Sequence, residues 1–184
     1  MDYYRLNTDI YFPNRWFLGD IIKVKDEWAF MQGRPVDEKK FKNLKVEVYE
    51  KGASMDFTET SAFIAPIVSE KFAACLSEYM DEVQLIPVKV PKSKEQYFIM
   101  VVKNKIDCVD ESKSIFSKFE KDDSVRPDLA GEYREMGVLK IKTTVVDKAI
   151  FRLDKFNVYI IINGEVKSKL EKAKVTGARF LLVS

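Results

Sequence analysis

FIAPIVSEKFAACLSEYMDEVQLIPV, residues 63–88, and VYIIINGEVKSKLEKAKVTGARFLLV, residues 158–183, decide how this chain folds. Each runs from an apolar stretch through a polar cap into an amphipathic segment and on to a second apolar stretch. Val68 corresponds to Ile162, Ser69 to Asn163, Phe72 to Val166 and Leu76 to Leu170. In the first unit, Phe72, Cys75, Leu76 and Tyr79 recur at i, i+3, i+4 and i+7, which is one face of a helix. Ser69 before them is a sound N-cap, because its hydroxyl can accept from a free N–H of the first turn. In the second unit Asn163 or Gly164 begins a helix with Val166, Leu170 and Ala173 on one side. Each unit therefore reads as strand, helix of about three turns, strand, a compact way to cover one sheet face. Internal duplication and chance recurrence of a common pattern both account for the likeness.

Working outward, Pro66 lacks the N–H that a central strand needs, so the run Ala62–Val68 reads as an edge or bulged strand. Val83–Val90 is a strand, Pro91–Lys94 a turn, and Tyr97–Val102 (YFIMVV) a central strand. Asp110–Glu120 reads as a helix carrying Ile115, Phe116 and Phe119, and the charged stretch Glu120–Glu135 as a loop. Strands resume at Val138–Val146, Ile150–Leu153 and Val158–Ile162, and Arg179–Val183 is the last. Upstream, Leu44, Val46 and Val48 alternate with Lys45, Glu47 and Tyr49, the period of a half-buried strand. The chain thus reads as α+β with mixed, mostly antiparallel sheets. It divides into a small β-rich N-terminal lobe, 1–60, and an α+β domain, 61–184.

Composition narrows the function. Apolar residues make up 46% of the 184, enough for one good-sized core. The 31 basic and 29 acidic side chains leave a net charge of only +2, too weak a field to recruit nucleic acid or an anionic membrane. No signal peptide opens the sequence and no apolar run spans a bilayer, so a cytoplasmic location is expected. Cys75 and Cys108 are expected as free thiols in a reducing compartment. The absence of histidine removes the usual general base of serine and cysteine hydrolases and every imidazole metal cage. No GxGxxG or GxxxxGK[ST] loop is present, and no cofactor is expected.

Two groups of residues remain as site candidates. Asp107, Asp110 and Glu111 flank Cys108 just after a strong strand, where three carboxylates could hold Mg²⁺ or supply an acid and a base. The plainer reading makes Asp110 a helix cap and Glu111 its first-turn acid, and the same groups could also face basic groups of a partner. Cys108 beside acids is a poor nucleophile, since negative charge raises a thiol pKa. The other group is aromatic. Tyr3, Tyr4, Tyr11, Phe12, Arg15, Trp16 and Phe17 crowd the first seventeen residues, and Trp28 follows. Tryptophans are usually structural, yet Trp, Tyr and Arg also anchor protein interfaces. Arg15, Trp16 and Trp28, with the three carboxylates, are the candidate contact residues.

PIVSEKFAACLSE from Pro66, VQLIPV from Val83, IDCVDESKS from Ile106, IFRL from Ile150 and the closing TGARFLLV resemble landmarks of a bacterial immunity-protein family. The resemblance covers about residues 60–184; upstream only YYRL and a loose GRPVD match. Members are encoded beside polymorphic or secretion-system toxins and protect the producing cell. The resemblance implies a non-enzymatic partner that binds and neutralises a cognate toxin by stoichiometric occlusion. It carries over no contact residues, because toxin-facing surfaces differ between members. A carboxylate- or Mg²⁺-dependent enzyme and a structural oligomerisation module are the alternatives.

Overall fold

The computed structural model describes residues 1–61 and 65–184. Its elements are β1 (Tyr3–Thr8), β2 (Phe17–Ile22), β3 (Leu44–Glu50), β4 (Phe57–Glu59), β5 (Pro66–Ser69), α1 (Glu70–Ala74), β6 (Val83–Lys89) and β7 (Tyr97–Val102). They continue with β8 (Lys105–Ile106), β9 (Ile115–Lys118), β10 (Tyr133–Val138), β11 (Ile150–Leu153), β12 (Phe156–Asn163), α2 (Gly164–Lys172) and β13 (Ala178–Leu182). The class is α+β, dominated by strands. A six-stranded sheet has the order β2-β3-β6-β7-β5-β4, a five-stranded one β13-β1-β12-β11-β8, and β9 pairs with β10 as a separate hairpin. Pairing is antiparallel except for β3 with β6 and β8 with β11.

Each strand–helix–strand unit leaves a gap between its two strands that a third, antiparallel strand fills. β7 lies between β5 and β6, and β1 lies between β12 and β13. Residues 1–60, expected as a lobe of their own, therefore contribute to both sheets: β1 to the five-stranded sheet, β2 to β4 to the other. The caps form as expected. Ser69 Oγ accepts from Phe72 N at 3.2 Å and Asn163 Oδ1 from Val166 N at 2.9 Å.

Alternation along the strands sorts side chains into three cores. Ile99 and Val101 face one way, into a cluster with Trp16, Ile21, Phe30 and Val46 from the N-terminal segment. Met100 and Val102 face the other way, where they meet Phe72 and Leu76, the second helix's Val166 and Leu170, and Leu6, Ile160 and Ile162 of the five-stranded sheet. On the far side of that sheet, Phe151 and Ile161 pack with Cys108, Tyr133 and Met136 beneath the β9–β10 hairpin.

Several local expectations are corrected. Pro66 does not mark an edge: β5 lies between β7 and β4, and proline is accommodated as its first residue. Ala62, Phe63 and Ile64, the start of that run, fall outside the described residues. The first helix is one turn, because Cys75 N→Phe72 O and Leu76 N→Ala73 O bonds tighten its end into 3-10 geometry. Residues 110–120 form a turn and β9 instead of a helix. Phe116 is drawn into edge-on contact with Tyr133 at 5.1 Å, and its backbone pairs with β10. β10 itself occupies 133–138, the end of the expected loop, while Thr143–Val145 is a 3-10 turn.

Candidate functional site

The six candidate residues do not converge. Trp16 is a core residue, 5% exposed, with its indole N–H donated to Thr58 Oγ1 at 2.9 Å and its ring tilted against Tyr97. That burial removes most of it from any contact surface. Arg15, next to it, stacks its guanidinium on the Phe17 ring at 3.9 Å. Trp28 behaves differently. It sits in a short 3-10 turn capped by Asp26 and is 55% exposed, held by its backbone while the indole projects.

Trp28 lines a cleft of about 700 Å³ between this turn, the segment after β9 and the β11–β12 turn. Arg126, Leu129, Lys155 and Phe156 are among the other walls. Asp107 reaches the same region through Lys155, to which it is bonded at 2.7 Å. Asp110 and Glu111 belong to the hairpin instead. Asp110 accepts from Ser112 Oγ at 2.6 Å and lies 3.3 Å from Lys113. Glu111 accepts from Lys118 Nζ at 2.6 Å and from the Tyr133 hydroxyl at 2.7 Å.

These partners set the protonation of the carboxylates. The Ser112 hydroxyl and Lys113 hold Asp110 below the ordinary carboxylate range, and Lys118 and Tyr133 do the same for Glu111. Each of the three carboxylates is matched by its own lysine, so their charges are already balanced, and the lowered pKa values make Asp110 and Glu111 poor proton acceptors. Among the described residues no group of three acidic or cysteine side chains is placed to share a metal ion. The arrangement is that of a charged, solvated surface.

The cysteines are free. Burial, then the nearby Asp107, pushes the Cys108 thiol up to about 12. Cys75 is also raised by burial, but it is only partly covered. Because the thiolate is the reactive form, Cys75 is expected to be alkylated slowly by iodoacetamide in the native protein and Cys108 only after unfolding. Mass spectrometry of the time course checks this order.

Sequence reading missed the buried charges of Asp56 and Arg152. Arg152, in the IFRL stretch, is 1% exposed. Its Nη1 donates to Asn157 O at 2.6 Å and Val158 O at 3.2 Å, tying down the irregular start of β12. Burial lowers its pKa to about 10, against the pull of Glu59. An arginine between apolar neighbours in a strand gives no sign of its depth until the strand's partners are known.

The chain is thus a mixed-sheet α+β protein whose candidate carboxylates are each paired with a lysine and whose Trp28 is exposed. Residues 67–184 match the model described as Immunity protein family (Imm11), more than half of the chain, and the chain belongs to that family. No curated protein matches the sequence. No helix among the described residues is long and apolar enough to cross a membrane.

Proposed function

We propose that this chain is an immunity protein that binds a cognate bacterial toxin one-to-one and covers the surface the toxin needs, without turnover of its own. Membership of the immunity family over residues 67–184 carries this reading. The carboxylates support it: each is committed to a lysine, which leaves them suited to a surface and not to proton transfer. The producing cell's cytoplasm is the place where such protection acts. Co-expression with the toxin encoded by the adjacent gene is expected to restore growth, and the two chains are expected to co-elute at equal stoichiometry. Failure to form a complex at every salt concentration would sink the reading.

Within that complex, Trp28 is the proposed anchor. An indole held on a short turn above a cleft offers a large contact area at little entropic cost. Trp28→Ala is expected to weaken toxin binding by roughly ten-fold or more, the scale of an interface hot spot. Its melting temperature should hardly change, since the side chain is more than half exposed. Surface plasmon resonance and thermal denaturation together separate the two effects.

A further inference from the structure

A second surface carries information about the partner's charge. The outer face of the six-stranded sheet is exposed at its β2–β3–β6 end, while α1 packs over β5 and β7. Along β3, Leu44 and Val46 are buried while Lys45, Glu47 and Tyr49 face solvent; along β6, Ile86 and Val88 are buried while Pro87 and Lys89 face solvent. Tyr49 is 83% exposed and Ile22 of the edge strand 43%. Tyr49 and Ile22 thus stand exposed on the same part of the sheet as Lys45 and Lys89.

The charges around it are unbalanced. Two grooves, about 660 and 510 Å³, share Ser93, Lys94 and Glu95 of the β6–β7 turn. Between them they are lined by Lys45, Lys51, Lys89, Lys92 and Lys94 but only Glu47 and Glu95. Some lysines elsewhere are paired, as Lys71, Lys118 and Lys155 are, and others are not. None of these five makes an ion pair among the described residues.

The register makes the imbalance costly. Lys45 of β3 lies directly beside Lys89 of β6, and like charges on neighbouring strands repel. A near-neutral chain that sets Lys45 beside Lys89 on the strand face that carries Tyr49 keeps a repulsion that an opposing acidic surface would relieve.

We propose that this face docks an acidic protein surface, and that, given the neutralising role above, the surface belongs to the toxin. The lysines steer the encounter, and Tyr49 adds a contact separate from the Trp28 anchor. The unpaired charge sets the sign of the partner patch: carboxylates around an apolar or aromatic centre.

Two arms of one experiment test this on the full chain and on its Lys45→Glu/Lys89→Glu variant. In the first, amide chemical shifts are followed during titration with a poly-L-glutamate peptide and, separately, with oligothymidylate. Shifts clustered at Lys45, Tyr49, Lys89 and Lys92, lost in the variant and at high salt, are expected for the peptide. Shifts scattered over the molecule, or oligothymidylate binding there more tightly than the peptide, overturn the proposal, the latter in favour of nucleic acid.

In the second arm, association with the adjacent-gene toxin is timed at several ionic strengths. The variant is expected to associate roughly ten-fold or more slowly, with a flattened salt dependence. An unchanged rate overturns the docking face and leaves the neutralising role standing. If the unaltered chain does not bind the toxin at all, the neutralising role falls, and the peptide arm still decides whether the face takes acidic protein. Lys45→Glu alone serves as the folding control: it exchanges a like-charge pair for an opposite one, so its melting temperature is expected to equal or exceed that of the unaltered chain.

Discussion

Phe72→Ala is expected to cost about 3–5 kcal/mol of folding stability, the range for emptying a well-packed aromatic site. Phe72 has no exposed surface and stacks on Phe57 with ring centroids 5.5 Å apart. It is also the residue through which the first helix enters the core shared by both sheets. A one-turn helix cannot collapse onto the void, because Ser69 caps one end and Leu76 is buried at the other. Chemical denaturation should show the loss as a lower midpoint at nearly constant slope, and heating as a melting temperature lower by roughly 6–20 °C. A cost of less than 1 kcal/mol would mean that the two sheets and helices do not share this core.

Asp56→Ala is expected to cost roughly 3–5 kcal/mol, less than three additive hydrogen bonds to a charged acceptor at about 1.5–3 kcal/mol each, because the bonds from Thr176 are only part-buried and the half-exposed Lys71 pair adds little. Asp56 is buried just before β4 and binds groups far apart in sequence. Its Oδ1 accepts from Ser69 Oγ at 2.7 Å, and its Oδ2 from Thr176 N and Thr176 Oγ1, each at 2.8 Å, with Lys71 Nζ 2.7 Å away. The Ser69 hydroxyl that caps the first helix is thus itself oriented by Asp56, and the loop after the second helix is pinned to the same carboxylate. Removing it unties both strand–helix–strand units at once.

The same carboxylate makes stability depend on pH. Burial pushes the Asp56 pKa up, but the bonds from Lys71, Thr176 and Ser69 outweigh it and the net shift is downward. The folded pKa then lies below the unfolded one. Its contribution is therefore fully present above the unfolded carboxylate value, near 4, and lost as pH falls through the folded value. Unfolding free energies measured between neutral pH and pH 3 should fall less steeply for Asp56→Ala than for the unaltered chain. Glu59, raised by burial despite the Thr8 bonds and the field of Arg152, works against this trend. Its opposing effect remains in the variant, so the difference between the two curves reports on Asp56.

How these units are held bears on binding. An interface loses less entropy on complex formation when its surface is already rigid. Tyr49 and Lys45 stand on β3, whose Val46 is fully buried, and Lys89 on β6, whose Ile86 and Val88 are buried. The proposed docking face is therefore presented by strands and the Trp28 anchor by a capped turn, so both are ordered before a partner arrives.

The elements that local pattern alone dictates were legible. β3, β6, β7, β11 and β12 follow from short-range alternation or apolar runs, and α2 from Val166 and Leu170 behind an Asn163 cap. Family motifs and the lack of histidine pointed to a binding role. The candidate contacts were less legible. Trp16 and Trp28 look alike in sequence, yet one is core and the other projects, because burial depends on what packs above a residue. The helix expected at 110–120 failed for a related reason: Phe116 obeys a partner strand that begins at Tyr133.

Sequence by itself determined the α+β class and the Ser69 and Asn163 caps that start the two helices, since each rests on residues within about one or two helical turns. Tertiary structure alone decided that β1 fills the gap between β12 and β13, that Asp56 meets Thr176, and that Lys45 stands beside Lys89. These are pairings across long loops. The chain's local preferences encode which segments become strands and which faces are apolar, but neighbours in space are selected by the burial of whole faces together, and that is settled only when the sheets assemble.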